Sequence, residues 1–399
     1  MRAVVYRGVN DLRLETVPVP AIRANELLVK VAVCGVCPTD IKKIQHGTVA
    51  PPRIFGHETA GTIVQIGRQK AEGRRQKSHS ALRTPHSEFR LGDRVALHHH
   101  VPCMDCHFCR HRAYAQCASY KRTGITAGFE PAGGGYAEYV RVMPFVLPGV
   151  VKIPARNSFE EGAMLEPVNT ILKAVRRLNL LPGDAVLVAG QGPIGLMFTR
   201  ILKLQGIRVL ATDLLESRLK LAKKFGAKWA RLVERRETRV ESSEIPALDP
   251  RPSALDSFST LDAAVIAVPS DDAVTQAFQL VRGGGQVLLF AHTKRAALVE
   301  SRESKVESRK SSALDPRPST LDSFSSLDYS SICVDEKDLI GSYSSDFTLQ
   351  AEVARLVFSR RLDVRQLITH HFPLEQTAAA VALAAKPSPD SLKIVVRVH

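Results

Sequence analysis

The sequence predicts a two-part α/β fold: an N-terminal barrel of short β-strands, then a doubly wound parallel sheet. Three observations carry this. The first 65 residues alternate apolar and polar in short runs broken by Pro and Gly, the pattern of a small antiparallel barrel. Residues 186–213, VLVAGQGPIGLMFTRILKLQGIRVLATD, give strand, glycine turn, helix, strand and acid in order. Beyond them LDAAVIAV (261–268) and GQVLLF (285–290) read as further buried strands, with 271–280 as a helix between. The expected division is 1–153 for the barrel, 154–344 for the parallel sheet, and 345–399 for a segment returning to the barrel.

Composition sets limits. With 399 residues there is room for two domains and a proper core. No apolar run reaches the length of a membrane span, and MRAVVY at the start reads as a strand, not a signal peptide. The net charge of +15 raises nucleic acid as a partner, but residues 68–90 alone hold seven Lys/Arg against two Glu. That reads as a solvated loop, and a nucleic-acid binder would leave the glycine turn unexplained. Four of the seven cysteines crowd between 103 and 117, which fits metal binding in a reducing cytoplasm better than a disulfide framework.

The barrel runs are AVVY, LRLETVPVP, LLVKVAVCG and AGTIVQIG. Cys37 follows the third run, and His57 and Glu58 precede the fourth. A thiolate, an imidazole and a carboxylate suit a catalytic zinc with an open position, although spacing alone does not bring them together. Cys34 closes its apolar run and is expected to face the core. Cys103, Cys106, Cys109 and Cys117 form C-x2-C-x2-C-x7-C, which matches a closed tetrahedral structural zinc. Four thiolates also suit an iron–sulfur cluster, but the rest of the chain points to zinc. His98, His99 and His100 read as the end of a strand with one imidazole facing a pocket, because neighbouring strand residues alternate faces.

The glycine turn is Gly190-Gln191-Gly192-Pro193-Ile194-Gly195. Its first glycine permits the tight turn, its second lets backbone approach a pyrophosphate, and its third lets the helix pack on the strand. The amides at the start of the following helix would face the phosphates. Asp213, at the end of the second strand, can accept from an adenosine ribose and repels a 2′-phosphate, so NAD is favoured over NADP. Leu214 and Leu215 supply no cation, and Arg218, one helical turn on, is expected to stack or cap.

Together these pieces resemble the zinc-dependent medium-chain alcohol dehydrogenases, in the branch holding polyol and threonine dehydrogenases. The matching segments are CGVCPTD (34–40), GHETAG (56–61), LGDRVA (91–96), the four-cysteine lobe, GGGYAEYV (133–140), LEPVNTILKAV (165–175), the glycine turn and LKIVV (392–396), in family order. The resemblance implies a GroES-like catalytic domain joined to a Rossmann domain, two zincs per chain, and a homodimer or homotetramer. It implies a catalytic zinc on Cys37, His57, Glu58 and, directly or through water, Glu166, with Thr39 as the hydroxyl that passes the substrate proton outward. Many relatives carry a His three residues after the Thr position, where this chain has Lys42. Water, His46 or one of residues 98–100 would have to take that role.

Two near-copies stand apart: ALDPRPSALDSFSTLD (247–262) and ALDPRPSTLDSFSSLD (313–328) differ at two of sixteen positions. Their Ser, Pro and Asp richness argues for exposed insertions, so inserts are expected at about 68–90, 234–260 and 296–330. The function expected is hydride transfer between a secondary alcohol or polyol and NAD. The alternatives are a threonine-type or sugar-phosphate dehydrogenase, and a non-catalytic NAD- and zinc-binding protein disabled by its inserts.

Overall fold

The computed structural model describes residues 1–67, 88–98, 101–119, 134–233, 261–291 and 329–398. His99, His100 and most of the three expected inserts lie outside the described residues.

The N-terminal part is built on β1 (Arg2–Gly8), β2 (Asp11–Thr16), β3 (Leu27–Gly35), β4 (Arg53–Ile54), β5 (Glu58–Ile66), β6 (Arg94–Leu97), β7 (Tyr139–Val142) and β8 (Val151–Lys152). β1 sits between β2 and β4 in a three-stranded sheet. The larger sheet runs β15-β16-β3-β5-β6-β8 and takes two strands from the end of the chain, β15 (Ile368–Pro373) and β16 (Lys393–Arg397), while β7 pairs with β3. β16 pairs antiparallel with β3, Val395 opposite Gly35. A core of Val29, Val31, Ile63, Val95, Val140, Ile394 and Val396 fills this part. The alternation read in the sequence is the alternation that packs it.

The second part holds β9 (Ala185–Ala189), β10 (Arg208–Asp213), β11 (Trp229–Leu232), β12 (Leu261–Ile266), β13 (Val281–Leu289) and β14 (Asp338–Gly341). They form one sheet in the order β11-β10-β9-β12-β13-β14, every pair parallel. This is the doubly wound Rossmann order, with its switch point between β9 and β12. β9 is buried along its whole length, as a strand covered by helices on both faces must be.

The segment LEPVNTILKAV forms the helix Leu165–Val175, which puts Glu166 in its first turn. β13 begins at Val281, four residues before the glycine expected to open it. Leu261 and Asp262, the last two residues of the first repeat copy, belong to β12. Asp262 accepts from the Ala185 amide at 2.8 Å and from Arg282 Nε at 2.8 Å, so this end of the copy is tied into the sheet by its aspartate.

The helix Leu165–Val175 joins the two parts. Its Leu165, Val168, Ile171 and Leu172 share one core with Val33 and Ala60 of the barrel and Val186 and Leu196 of the Rossmann unit. Asn169, one turn after Glu166, donates to Gln350 Oε1 at 3.0 Å and accepts from the Asp346 amide at 2.8 Å.

Candidate active site

The strand register builds the site. β3 and β5 pair antiparallel with Gly35 opposite Glu58. Cys37 lies just beyond the end of β3 and His57 just before the start of β5, so one register brings both to the same edge. Gly35 is required there: a Cβ would fall 1.8 Å from Glu58 Oε2. One ligand atom from each of Cys37, His57 and Glu58 lies within 4.8 Å of the others. His57 and Glu58 are buried and Cys37 is partly exposed, which leaves an open side.

Thr39 and Asp40 enter on the helix Pro38–His46, which has Pro in its first turn and ends at Gly47 with φ 62°. Asp40 was missed in the sequence reading. It is fully buried, with Oδ2 3.0 Å from His57 Nδ1 and 3.1 Å from the Gly56 amide. With a carboxylate on Nδ1, Nε2 is the nitrogen such an imidazole can offer to a metal. Burial opposes charge on His57, yet Asp40 and the Cys37 sulfur hold its pKa well above the ordinary imidazole range. Burial likewise opposes charge on Asp40, but His57 and then Lys43 pull it below the usual carboxylate value.

Lys393 was also missed. It is buried on β16, donates to Val36 O at 3.0 Å and Glu58 Oε1 at 2.6 Å, and also contacts Glu58 Oε2. No local signal marks it, since it lies 335 residues from its partner. Glu166 is buried but is not one of the three converging residues. Burial pushes its pKa up to about 7; Glu58 and Asp40 add to the rise, while His57 and Lys393 oppose it.

The residues weighed for a proton relay are spread apart. Lys42 is half-buried one turn from Thr39, and His46 is exposed at the far end of the helix. His98 follows β6 and is fully buried, with Nε2 3.4 Å from Ser345 Oγ. Burial pushes its pKa down to about 3, so it is neutral at physiological pH.

Cys103, Cys106, Cys109 and Cys117 also converge within 4.8 Å. The Cys106–Cys109 and Cys103–Cys109 sulfurs are 3.5 and 3.9 Å apart, near the edge of about 3.8 Å that four Zn–S bonds of about 2.3 Å define. The Asp105 and Cys106 amides pull the Cys103 thiol down to about 6, favouring the thiolate that binds metal.

At the Rossmann end, Gly190 adopts φ +89° and a Cβ on Gly195 would sit 1.7 Å from Gly190 O. Gly192 faces open space and leads into the helix Pro193–Leu204, so Pro193 and Ile194 form its first turn. Asp213 is buried at the end of β10 and accepts from the Gln191 amide at 2.6 Å and the Leu215 amide at 2.9 Å. Arg218 is half-buried, and its Nε has no hydrogen-bond partner among the described residues.

A Rossmann sheet with its glycine turn, a barrel carrying a thiolate–imidazole–carboxylate cluster and a separate four-cysteine lobe define a zinc-dependent nicotinamide oxidoreductase. Comparison with known proteins agrees: residues 23–155 match the alcohol dehydrogenase GroES-like domain and residues 193–308 match the zinc-binding dehydrogenase domain. The chain belongs to the zinc-dependent medium-chain dehydrogenase family. It is 28% identical to a sorbitol dehydrogenase of Bombyx mori over 100% of this chain and 98% of that protein. A sorbitol dehydrogenase of Bacillus subtilis is 26% identical over 99% of this chain and 97% of its own. Among solved structures, galactitol-1-phosphate dehydrogenase from Escherichia coli superposes with a TM-score of 0.70 at 22% identity, covering 100% of both chains.

Proposed function

We propose that this dehydrogenase oxidises a secondary alcohol or polyol with NAD as hydride acceptor. Cys37, His57 and Glu58 would hold the zinc, and Glu166 would stand beside them. The convergence of those three ligand atoms within 4.8 Å carries the reading. Polyols are the favoured substrates because the two sorbitol dehydrogenases above match along their whole length.

Zinc held there would supply Lewis acidity toward the substrate hydroxyl, and a nicotinamide in the Rossmann cleft would supply the hydride acceptor. The chain's own residues do the rest. Asp40 orients His57, and Lys393 offsets the charge of Glu58, both side chains being nearly out of water. Thr39, in the first turn of the Asp40 helix, would take the substrate proton while giving its own hydroxyl proton outward to water. Gly190, Gly192, Pro193, Ile194 and Gly195 cradle the pyrophosphate, and Asp213 and Arg218 hold the adenosine end. The four cysteines hold a second zinc that braces their loop.

The gathering of four cysteines as candidate metal ligands supports a cytoplasmic location, and no helix among the described residues is long and apolar enough to cross a membrane. A homodimer or homotetramer is supported by β14 standing at the edge of the Rossmann sheet, where a second copy can pair. The test is an NAD-reduction screen over polyols, amino alcohols and sugar phosphates, run beside elemental analysis and light scattering. Reduction with a polyol and bound zinc is expected; zinc-loaded protein that reduces NAD with none of them overturns the reading.

A further inference from the structure

The carboxylate that orients His57 is unevenly served. Asp40 is fully buried, and its Oδ2 takes both His57 Nδ1 and the Gly56 amide. Its Oδ1 is out of solvent and has no hydrogen-bond partner among the described residues. A buried carboxylate oxygen left without a donor costs the full desolvation penalty of that atom. One cation reaches toward it: Lys43 Nζ stands 3.7 Å from Oδ1, three residues along the same helix, with about a quarter of its side chain in water (24% exposed). Of the two adjacent lysines in PTDIKK, helical spacing selects Lys43, because positions three apart share a face and those two apart do not.

The result is a line of contacts from solvent to the metal cluster: Lys43, Asp40, His57. The ammonium works through charge at a distance beyond a good hydrogen bond, so it offsets the buried negative charge of Asp40 without fixing its geometry. A carboxylate steadied in this way holds the imidazole with Nδ1 occupied and Nε2 presented, which is what a cation at Cys37 and Glu58 requires.

We propose that Lys43 is a positioning residue for the metal centre: a surface ammonium that sets, through Asp40, how tightly His57 holds its metal. The inference rests on the zinc site proposed above and adds a control point on the protein surface. Because the outer end of the line is in water, its strength depends on salt. Screening falls from a reach of about 30 Å at 0.01 M to about 3 Å at 1 M, so the contribution of Lys43 should fade over that range.

The experiment measures zinc release from the holoenzyme to excess EDTA, in wild type, Lys43→Met, Lys43→Arg and Lys42→Met, at low and high salt. The Cys37 zinc is identified as the one missing from Cys37→Ser. At low salt, Lys43→Met should release it about fivefold faster, the scale of a partly exposed ion pair, while Lys43→Arg and Lys42→Met stay near wild type. High salt should speed release from wild type and Lys43→Arg and leave Lys43→Met unchanged. A purely structural role for Lys43 would lower the melting temperature without this salt pattern. A wild type with no Cys37-dependent zinc overturns both the proposed function and this inference. A Cys37-dependent zinc whose release ignores position 43 at both salt concentrations overturns this inference alone.

Discussion

Lys393, on the last strand, embraces Glu58, the first residue of β5, with its ammonium against both carboxylate oxygens. Both side chains are nearly out of water, at 8% and 2% exposure. Removing one partner of such a pair leaves the other charge buried and alone, at a cost of about 3–5 kcal/mol. Lys393→Met should therefore lower the unfolding free energy of zinc-free protein by that order, and the double variant Glu58→Gln with Lys393→Met should recover part of it. Urea unfolding measures both, and a neutral Lys393→Met would show that the pair does not hold the return segment.

Asp40 makes a different demand. Asp40→Asn keeps the shape but replaces an oxygen that only accepts by an amide that can point its NH2 at Nδ1. Metal affinity should drop about 10- to 100-fold, the usual effect of losing such a partner, with the fold kept. Equilibrium competition with a zinc indicator, beside circular dichroism, checks it.

The two cysteine-bearing clusters predict two zincs per chain. Cys37→Ser should lose one zinc and the activity while remaining folded. Cys106→Ser should lose the other and lower the melting temperature, because the loop's small core is Cys109 and Cys117 with Cys106 and Tyr114 packed against them. Elemental analysis decides; one zinc in wild type, unchanged in Cys37→Ser, contradicts the two-site arrangement.

Asp213 predicts cofactor preference. In the function proposed above its buried carboxylate would face the extra phosphate of NADP, and the next residue, Leu214, is exposed and uncharged. NAD should be preferred at least about tenfold, about 1.4 kcal/mol, and Asp213→Ser should reduce that preference. Comparison of kcat/KM for NAD and NADP tests it.

His98 predicts an acid limit. Its pKa lies near 3 in the fold and about 6.5 in the unfolded chain. Between those values the unfolded chain binds the proton and the folded one does not. Stability from this residue is complete above about pH 6.5 and is lost progressively as pH falls toward 3, at up to about 1.4 kcal/mol per unit. The loss should be shallower in His98→Gln, read as unfolding free energy against pH.

Short-range spacing made half of this molecule legible. The glycine turn works within six residues: Gly190 needs its positive φ, Gly195 has no room for a Cβ, and Gly192 opens outward. The four cysteines lie within fifteen residues, so short loops alone bring the sulfurs together. Asp213 could be placed because a strand and helix of ordinary length separate it from that turn. The sequence by itself thus determined the dinucleotide turn, the structural cysteine lobe and the barrel-then-sheet order, since backbone geometry fixes contacts across such distances. The catalytic cluster was decided by tertiary structure. Cys37 and His57 meet because β3 and β5 pair with Gly35 opposite Glu58, and a slip of one residue would turn Glu58 to the other face. Lys393 arrives because β16 sets Val395 opposite the same Gly35. Partners 335 residues apart are joined only by sheet register and core packing, neither of which is written in any local stretch of the chain.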